Sequence, residues 1–114
     1  MGNVVKEKSF DFAVDIVYLY KNLIEQNKEF VMSRQLLKSA TSIGANIREA
    51  EFAQSKPDFV TKMTISLKEA NETDYWLDLL HATEFIDKET FTTYKAKSEE
   101  MIKLLVSIVK SAKQ

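Results

Sequence analysis

Apolar residues recur at helical spacing in four successive stretches of this chain, and polar residues fill the faces between them. In the first stretch Phe10, Ala13, Ile16, Val17, Tyr20, Leu23 and Ile24 form the stripe, which fades near Asn27 and Lys28. Ser9 or the earlier Asn3 is the candidate cap. Ser33 opens a second stretch with Leu36, Ala40, Ile43, Ile47 and Ala50 on one side. Ser55-Lys56-Pro57-Asp58 reads as a stop and restart, with a capping hydroxyl, a proline tolerated in the first turn and an acid at the positive end of the helix dipole. The third stripe carries Phe59, Met63, Leu67, Ala70, Leu77 and Leu80. Asp87 caps the fourth, which carries Phe91, Tyr94, Ser98, Met101, Ile102, Leu105, Ile108 and Val109.

These periods predict helices at about 9–28, 33–53, 56–82 and 88–112. Four amphipathic helices on short connections imply antiparallel neighbours, hence an all-α up-down-up-down four-helix bundle in a single domain spanning 1–114. Two Gly and one Pro supply too few turn signals for a β-sandwich.

Within the second helix, "SATSIGANIREAEFA" thins its side chains where most helices place Leu. A helical wheel puts Leu37 and Gly44 on one shoulder of the buried stripe and Ser39, Ser42 and Asn46 on the other. A mid-helix Gly costs about 0.8–1 kcal/mol relative to Ala, so Ala40 and Gly44 are expected where a neighbouring helix comes close. The outward face carries Arg34, Lys38, Thr41, Ala45, Arg48 and Phe52. Three cations beside an aromatic fit phosphate tracking and base stacking, and they fit an ordinary solvated face as well.

The third helix bears a second stripe, Ile65, Glu69, Glu72, Trp76 and Leu79, turned away from the first. One bundle needs one apolar face per helix, so a second face holding a Trp is a candidate partner surface. Glu69 and Glu72 then require partners, with Asn46, Arg34, Arg48 and Lys62 as candidates.

Composition narrows the chemistry. The 114 residues carry 16 Lys and Arg against 17 Asp and Glu, a net charge of −1, so the whole molecule is no electrostatic nucleic-acid binder, although a local basic patch is compatible with it. The absence of Cys removes disulfides and thiolate chemistry and fits a reducing cytoplasm. No apolar run reaches the roughly 20 residues of a membrane span, and no secretory leader is evident. The chain begins Met-Gly, but Lys6 stands where a myristoylation signal wants Ser or Thr. A di-metal carboxylate bundle needs two Glu-x-x-His pairs, whereas the lone His81 has Asp78 at that spacing. Asp74, Asp78 and His81 read better as a hydrogen-bond cluster near a helix end. No phosphate loop, nucleophile elbow or metalloprotease helix appears. No catalytic residue, cofactor or metal site is therefore assigned.

The run Ser42, Ile43, Gly44, Asn46, Ile47, Glu49, followed by Lys68, Glu69, Ala70, Glu72, Thr73, Trp76, Leu77, resembles the signature of the small bacterial four-helix-bundle proteins encoded by intervening sequences of 23S rRNA genes. It is also similar to the accessory bundle proteins of diversity-generating retroelements. The resemblance implies a homo-oligomer, a ring of five subunits foremost, and an interaction or scaffold module rather than an enzyme. Together with the double stripe, which adds Ile65 and Leu79, it marks Asn46, Glu49, Glu69, Glu72 and Trp76 as a structural and interface network between the second and third helices. The retroelement proteins engage nucleic acid and a reverse transcriptase through a basic surface. The alternative role is therefore an RNA- or DNA-associated protein using Arg34, Lys38, Arg48 and Phe52, helped by Lys95, Lys97, Lys103, Lys110 and Lys113 of the fourth helix. A carboxylate metalloenzyme is the third reading. The pI of about 5.9 sets this chain apart from strongly basic ribosomal proteins.

Overall fold

The computed structural model describes residues 3–114, so the Met-Gly start lies outside it. Four helices follow in order, α1 (Asn3–Gln26), α2 (Met32–Ala50), α3 (Lys56–Ala82) and α4 (Lys88–Ala112). Each helix packs on the next and α4 returns to α1, while the diagonal pairs do not approach, so the molecule is an antiparallel bundle 44 Å long and about 20 Å across.

α1 runs from Asn3, and Ser9 does not cap it. Ser9 lies buried inside the helix and donates its hydroxyl to the Lys6 carbonyl at 2.9 Å. The buried stripe of α1 is also turned from the expected one. Val5, Ser9, Phe12, Ile16, Leu19 and Leu23 face the core, while Phe10 is 55% exposed. α1 carries apolar residues on two faces, and the one that turned inward holds Ser9, whose small size lets α2 approach. A Cβ built on Gly44 would stand 3.3 Å from Ser9 Oγ, so α1 and α2 cross closely enough that even an alanine would press on the serine.

α2 buries Leu36, Ala40, Ile43, Ile47 and Ala50 as its period requires, together with Ser33 and Ser39. Its opposite shoulder meets α3 through small polar groups. Ser39 Oγ and Thr73 Oγ1 lie 2.9 Å apart, and Ser66 Oγ donates to the Ile43 carbonyl at 2.9 Å. Each hydroxyl is satisfied, so the α2–α3 contact contains polar atoms without a desolvation penalty left open.

The restart at α3 follows its sequence signals: Ser55 Oγ accepts from the Asp58 amide at 3.2 Å, with Pro57 in the first turn. Asp87 Oδ1 accepts from the Thr90 amide at 2.8 Å and starts α4, and this hydrogen bond holds its carboxyl below the ordinary range. The start of α2 is different. Ser33 does not cap it; the carboxylate of Glu29 accepts from the amides of Val31, Met32 and Ser33 at 3.1, 3.2 and 2.7 Å. The Ser33 hydroxyl returns to the Glu29 carbonyl at 2.6 Å.

α4 meets α1 more loosely than the other neighbours meet each other. Polar links hold this seam: Lys97 to Asp15 at 2.6 Å, Lys8 to Glu100 at 3.2 Å, and the Tyr94 hydroxyl to the Asp15 carbonyl at 2.8 Å. Desolvation, with the Asp15 charge adding to it, raises the Tyr94 phenol above its usual range.

Candidate functional site

The residues of the second α3 stripe lie outside the core, on the flank of α3 that adjoins α2. Ile65 is 38% exposed, Glu72 lies open to solvent, and Glu69, Trp76 and Leu79 are half-buried. A helix turning about 100° per residue sets this row beside the core row of Ser66, Thr73 and Leu77. Across the seam, the α2 shoulder presents Ser42 and the half-buried Asn46, with Glu49 exposed at its end. The two sequence blocks therefore share one outer face of the bundle.

Within that face the polar groups settle mainly on their own helices. The Asn46 amide donates to the Ser42 carbonyl at 2.8 Å, and Trp76 Nε1 donates to Glu72 Oε2 at 3.0 Å. Two signature side chains reach across the seam, Thr73 of α3 to Ser39 of α2 at 2.9 Å and Glu49 of α2 to Lys62 of α3 at 3.0 Å. The hydrogen bond and charge of Glu49 raise the Lys62 ammonium above its ordinary value. The expected direct pairing of Asn46 with Glu69, Glu72 and Trp76 is thus not made within one chain, because Asn46 bonds the Ser42 carbonyl and Trp76 bonds Glu72, each a turn away on its own helix. Glu69 and Glu72 have no cation within ion-pair distance among the described residues.

Trp76 is oriented from two sides. Glu72 holds its indole N–H, and Tyr75 meets its ring edge-on at 5.1 Å between centroids and 72° between planes. Tyr75 is itself 54% exposed, so an aromatic pair stands at the surface beside two carboxylates.

Arg34, Lys38 and Arg48 line the outward face of α2, all exposed, along about 21 Å of helix. None of them has a carboxylate partner among the described residues. Arg48 lies 5.7 Å from the centre of the Phe10 ring. Phe52, 84% exposed, sits in the turn beyond the end of α2. The lysines of α4 do not extend this surface evenly. Lys97 is engaged by Asp15, and Lys95 lies 2.6 Å from Asp74 and 2.8 Å from Asp78. Burial works against the Lys95 charge, but the hydrogen bonds and charges of those two aspartates outweigh it and raise its pKa. Lys103, Lys110 and Lys113 remain exposed.

Asp74 also accepts from Ser98 at 2.9 Å, so the aspartates of α3 serve the α3–α4 contact. His81 does not join them; it stacks on Phe91 with centroids 4.1 Å apart. Among the described residues no three carboxylate or imidazole groups converge as metal ligands. A depression of 550 Å³ lies where the α3–α4 turn meets the end of α1 and includes His81, Asn22, Asp87 and Lys88. No described helix is long and apolar enough to cross a membrane.

Two features escaped the sequence reasoning. Phe10, which the period assigned to the core stripe, forms with Val14 and Tyr18 an outward apolar row on α1 at i, i+4, i+8 spacing. The Glu29 cap left no such signal, since Glu is seldom read as a start residue.

Fold and surface together define a small all-α four-helix bundle with an exposed row of cations on α2 and a partly covered aromatic and carboxylate row on α3. The chain belongs to the 23S rRNA-intervening sequence protein family, whose model matches residues 2–107. It is similar to a crystal structure from Bacteroides thetaiotaomicron VPI-5482, described as a protein with unknown function from the S23 ribosomal protein family. The two are 61% identical with a TM-score of 0.93, over 95% of this chain and 96% of the other. No curated protein matches the chain.

Proposed function

We propose that this protein is a non-enzymatic scaffold that works as a homo-oligomer, with the α2–α3 face as a subunit contact. The observation that carries this reading is the Trp76 stripe. Its own bundle leaves Ile65, Glu69, Glu72, Trp76 and Leu79 only partly covered, although α3 already has a complete core row in Met63, Ser66, Ala70, Thr73, Leu77 and Leu80. A Trp anchored by a carboxylate and an edge-on Tyr loses little side-chain freedom on association, which favours its use as an interface anchor. The family resemblance favours five subunits. Sedimentation velocity at micromolar concentration is expected to find a multimer, and Trp76→Ala is expected to shift it toward monomer with the helical circular dichroism retained. A monomeric wild-type protein across that range overturns the reading.

A second reading rests on the unpaired cations Arg34, Lys38 and Arg48 of α2. As a phosphate-tracking row they give RNA or DNA retention that weakens steeply with salt. Replacing Arg34 and Arg48 by Glu without any change in that retention removes it.

A further inference from the structure

The depression of 550 Å³ at the end of the bundle falls within the range of small-molecule sites, about 300–1,000 Å³. Its floor is apolar: Leu19, Leu23 and Ile86 are buried, and Phe85 is half-buried. Its rim is polar. Asn22 comes from the last turns of α1 and Asn27 from just beyond it, His81 from the last turn of α3 and Glu84 from the turn that follows. We propose that this cavity binds a purine that carries no phosphate, a free base or a nucleoside, stacked on His81 with its edge read by the two asparagine amides. The proposal goes beyond the scaffold reading and does not depend on it.

The imidazole supplies the platform. His81 and Phe91 lie parallel, with 4.1 Å between centroids and 8° between planes. His81 lines the cavity and Phe91 does not, so the phenyl ring backs the imidazole and leaves its other side to the cavity. A flat heteroaromatic ring entering there extends a stack of two rings to three. The side chains of Asn22, Asn27 and His81 make no hydrogen bond among the described residues of this end, where the polar contacts are those of Thr83, Thr90 and Thr92. An asparagine amide sets a donor beside an acceptor, the pattern that pairs with the amino group and ring nitrogen of adenine.

Charge decides against a phosphate. Glu84 and Asp87 line the cavity against one lysine, Lys88. The start of α4 is no anion site either, because Asp87 Oδ1 already accepts from the Thr90 amide at 2.8 Å. The rim is also held in place. The Asn27 amide donates to the Leu23 carbonyl at 3.2 Å, and the Phe85 amide to the Leu80 carbonyl at 2.9 Å. Lys28, next to Asn27, and Glu84 are the non-glycine residues with positive φ among those described, 54° and 66°. Helices commonly end on glycine in that conformation, so both turns keep a side chain where glycine is the easier residue.

The test is equilibrium dialysis of labelled adenosine against the wild-type protein and against Asn22→Ala, Asn27→Ala and Glu84→Gln, with AMP and cytidine as competitors. All three positions are exposed, and circular dichroism checks that each variant folds. Adenosine is expected to bind saturably, with AMP and cytidine each at least about tenfold weaker. Each alanine variant is expected to lose about fivefold or more in adenosine affinity, and Glu84→Gln to narrow the gap between adenosine and AMP. No saturable adenosine binding at millimolar concentration overturns the proposal. So does adenosine binding that both alanine variants keep in full, and so does AMP that binds as tightly as adenosine.

Discussion

Ser39 of α2 and Thr73 of α3 share a hydrogen bond of 2.9 Å, and both side chains are buried in the most extensive helix contact of the bundle. Thr73 also reaches the Glu69 carbonyl one turn back at 2.9 Å and Ser39 the Leu36 carbonyl at 3.2 Å, so each hydroxyl has an acceptor on its own helix and either one can donate across the contact. Small residues bring the backbones together, and the hydroxyl pair removes the cost of burying their oxygens. Ser39→Ala is expected to lower unfolding stability by about 1 kcal/mol, since Thr73 keeps its own acceptor. Ser39→Leu is expected to lose more, about 2–3 kcal/mol, because the side chain has nowhere to go. Urea denaturation of the two variants measures the difference.

Gly44 fills the equivalent position toward α1. Alanine there gains helix propensity of up to about 1 kcal/mol but places its Cβ 3.3 Å from the Ser9 hydroxyl, a contact that requires Ser9 to shift slightly. The two effects oppose each other, so Gly44→Ala is expected to lie within about 1 kcal/mol of wild type. Gly44→Leu is expected to separate α1 from α2 and lower the melting temperature sharply. Thermal unfolding followed by circular dichroism distinguishes the two.

Glu29 supplies three acceptor contacts to the first turn of α2 from a position only 8% exposed. Glu29→Ala leaves those amides without that acceptor and is expected to cost about 1–3 kcal/mol. Glu29→Gln keeps one carbonyl oxygen and is expected to cost less. Amide hydrogen exchange at Val31, Met32 and Ser33 should accelerate in the alanine variant, while the middle of α4 stays protected.

The hold of α4 on its neighbours is expected to weaken in alkali. The pKa values of Lys95 and Tyr94 are both raised in the folded protein, so the folded state binds protons more tightly than the unfolded chain. Their stabilising contribution is complete below about pH 10, near their unfolded values, and is lost as pH rises through the higher folded ones. Denaturation midpoints measured from pH 8 to 11 should fall, and Tyr94→Phe should flatten part of the slope. At the acid end Asp87 has a lowered value, so its contribution is present above about pH 4 and is lost as pH falls through the folded value.

Much of this architecture was legible in the chain. Helical period gave all four helices and the inward stripes of α2, α3 and α4, because each such stripe holds the larger apolar residues, such as Leu36, Ile43, Leu77 and Leu105. The caps Ser55 and Asp87 were legible because their hydroxyl and carboxylate act on amides three residues away. The clustering of the signature residues beside the α2–α3 seam was legible as spacing. The bonding among them was not, since Asn46 and Trp76 each reach a partner four residues back on their own helix.

What the sequence determined by itself is therefore the number and order of the helices, the phase of α2, α3 and α4, and the presence of a spare apolar row on α3. Only the tertiary structure decided which α1 row turned inward. Period alone ranks Phe10 above Ser9 as a core residue, because hydrophobicity counts surface area and takes no account of how near two backbones lie. In the bundle the close approach of α2 at Gly44 leaves room for Ser9 and none for a phenyl ring, so the serine is buried and Phe10 faces outward beside Arg48. The same choice left a groove open between α1 and α2, and the Trp76 row on the adjacent face.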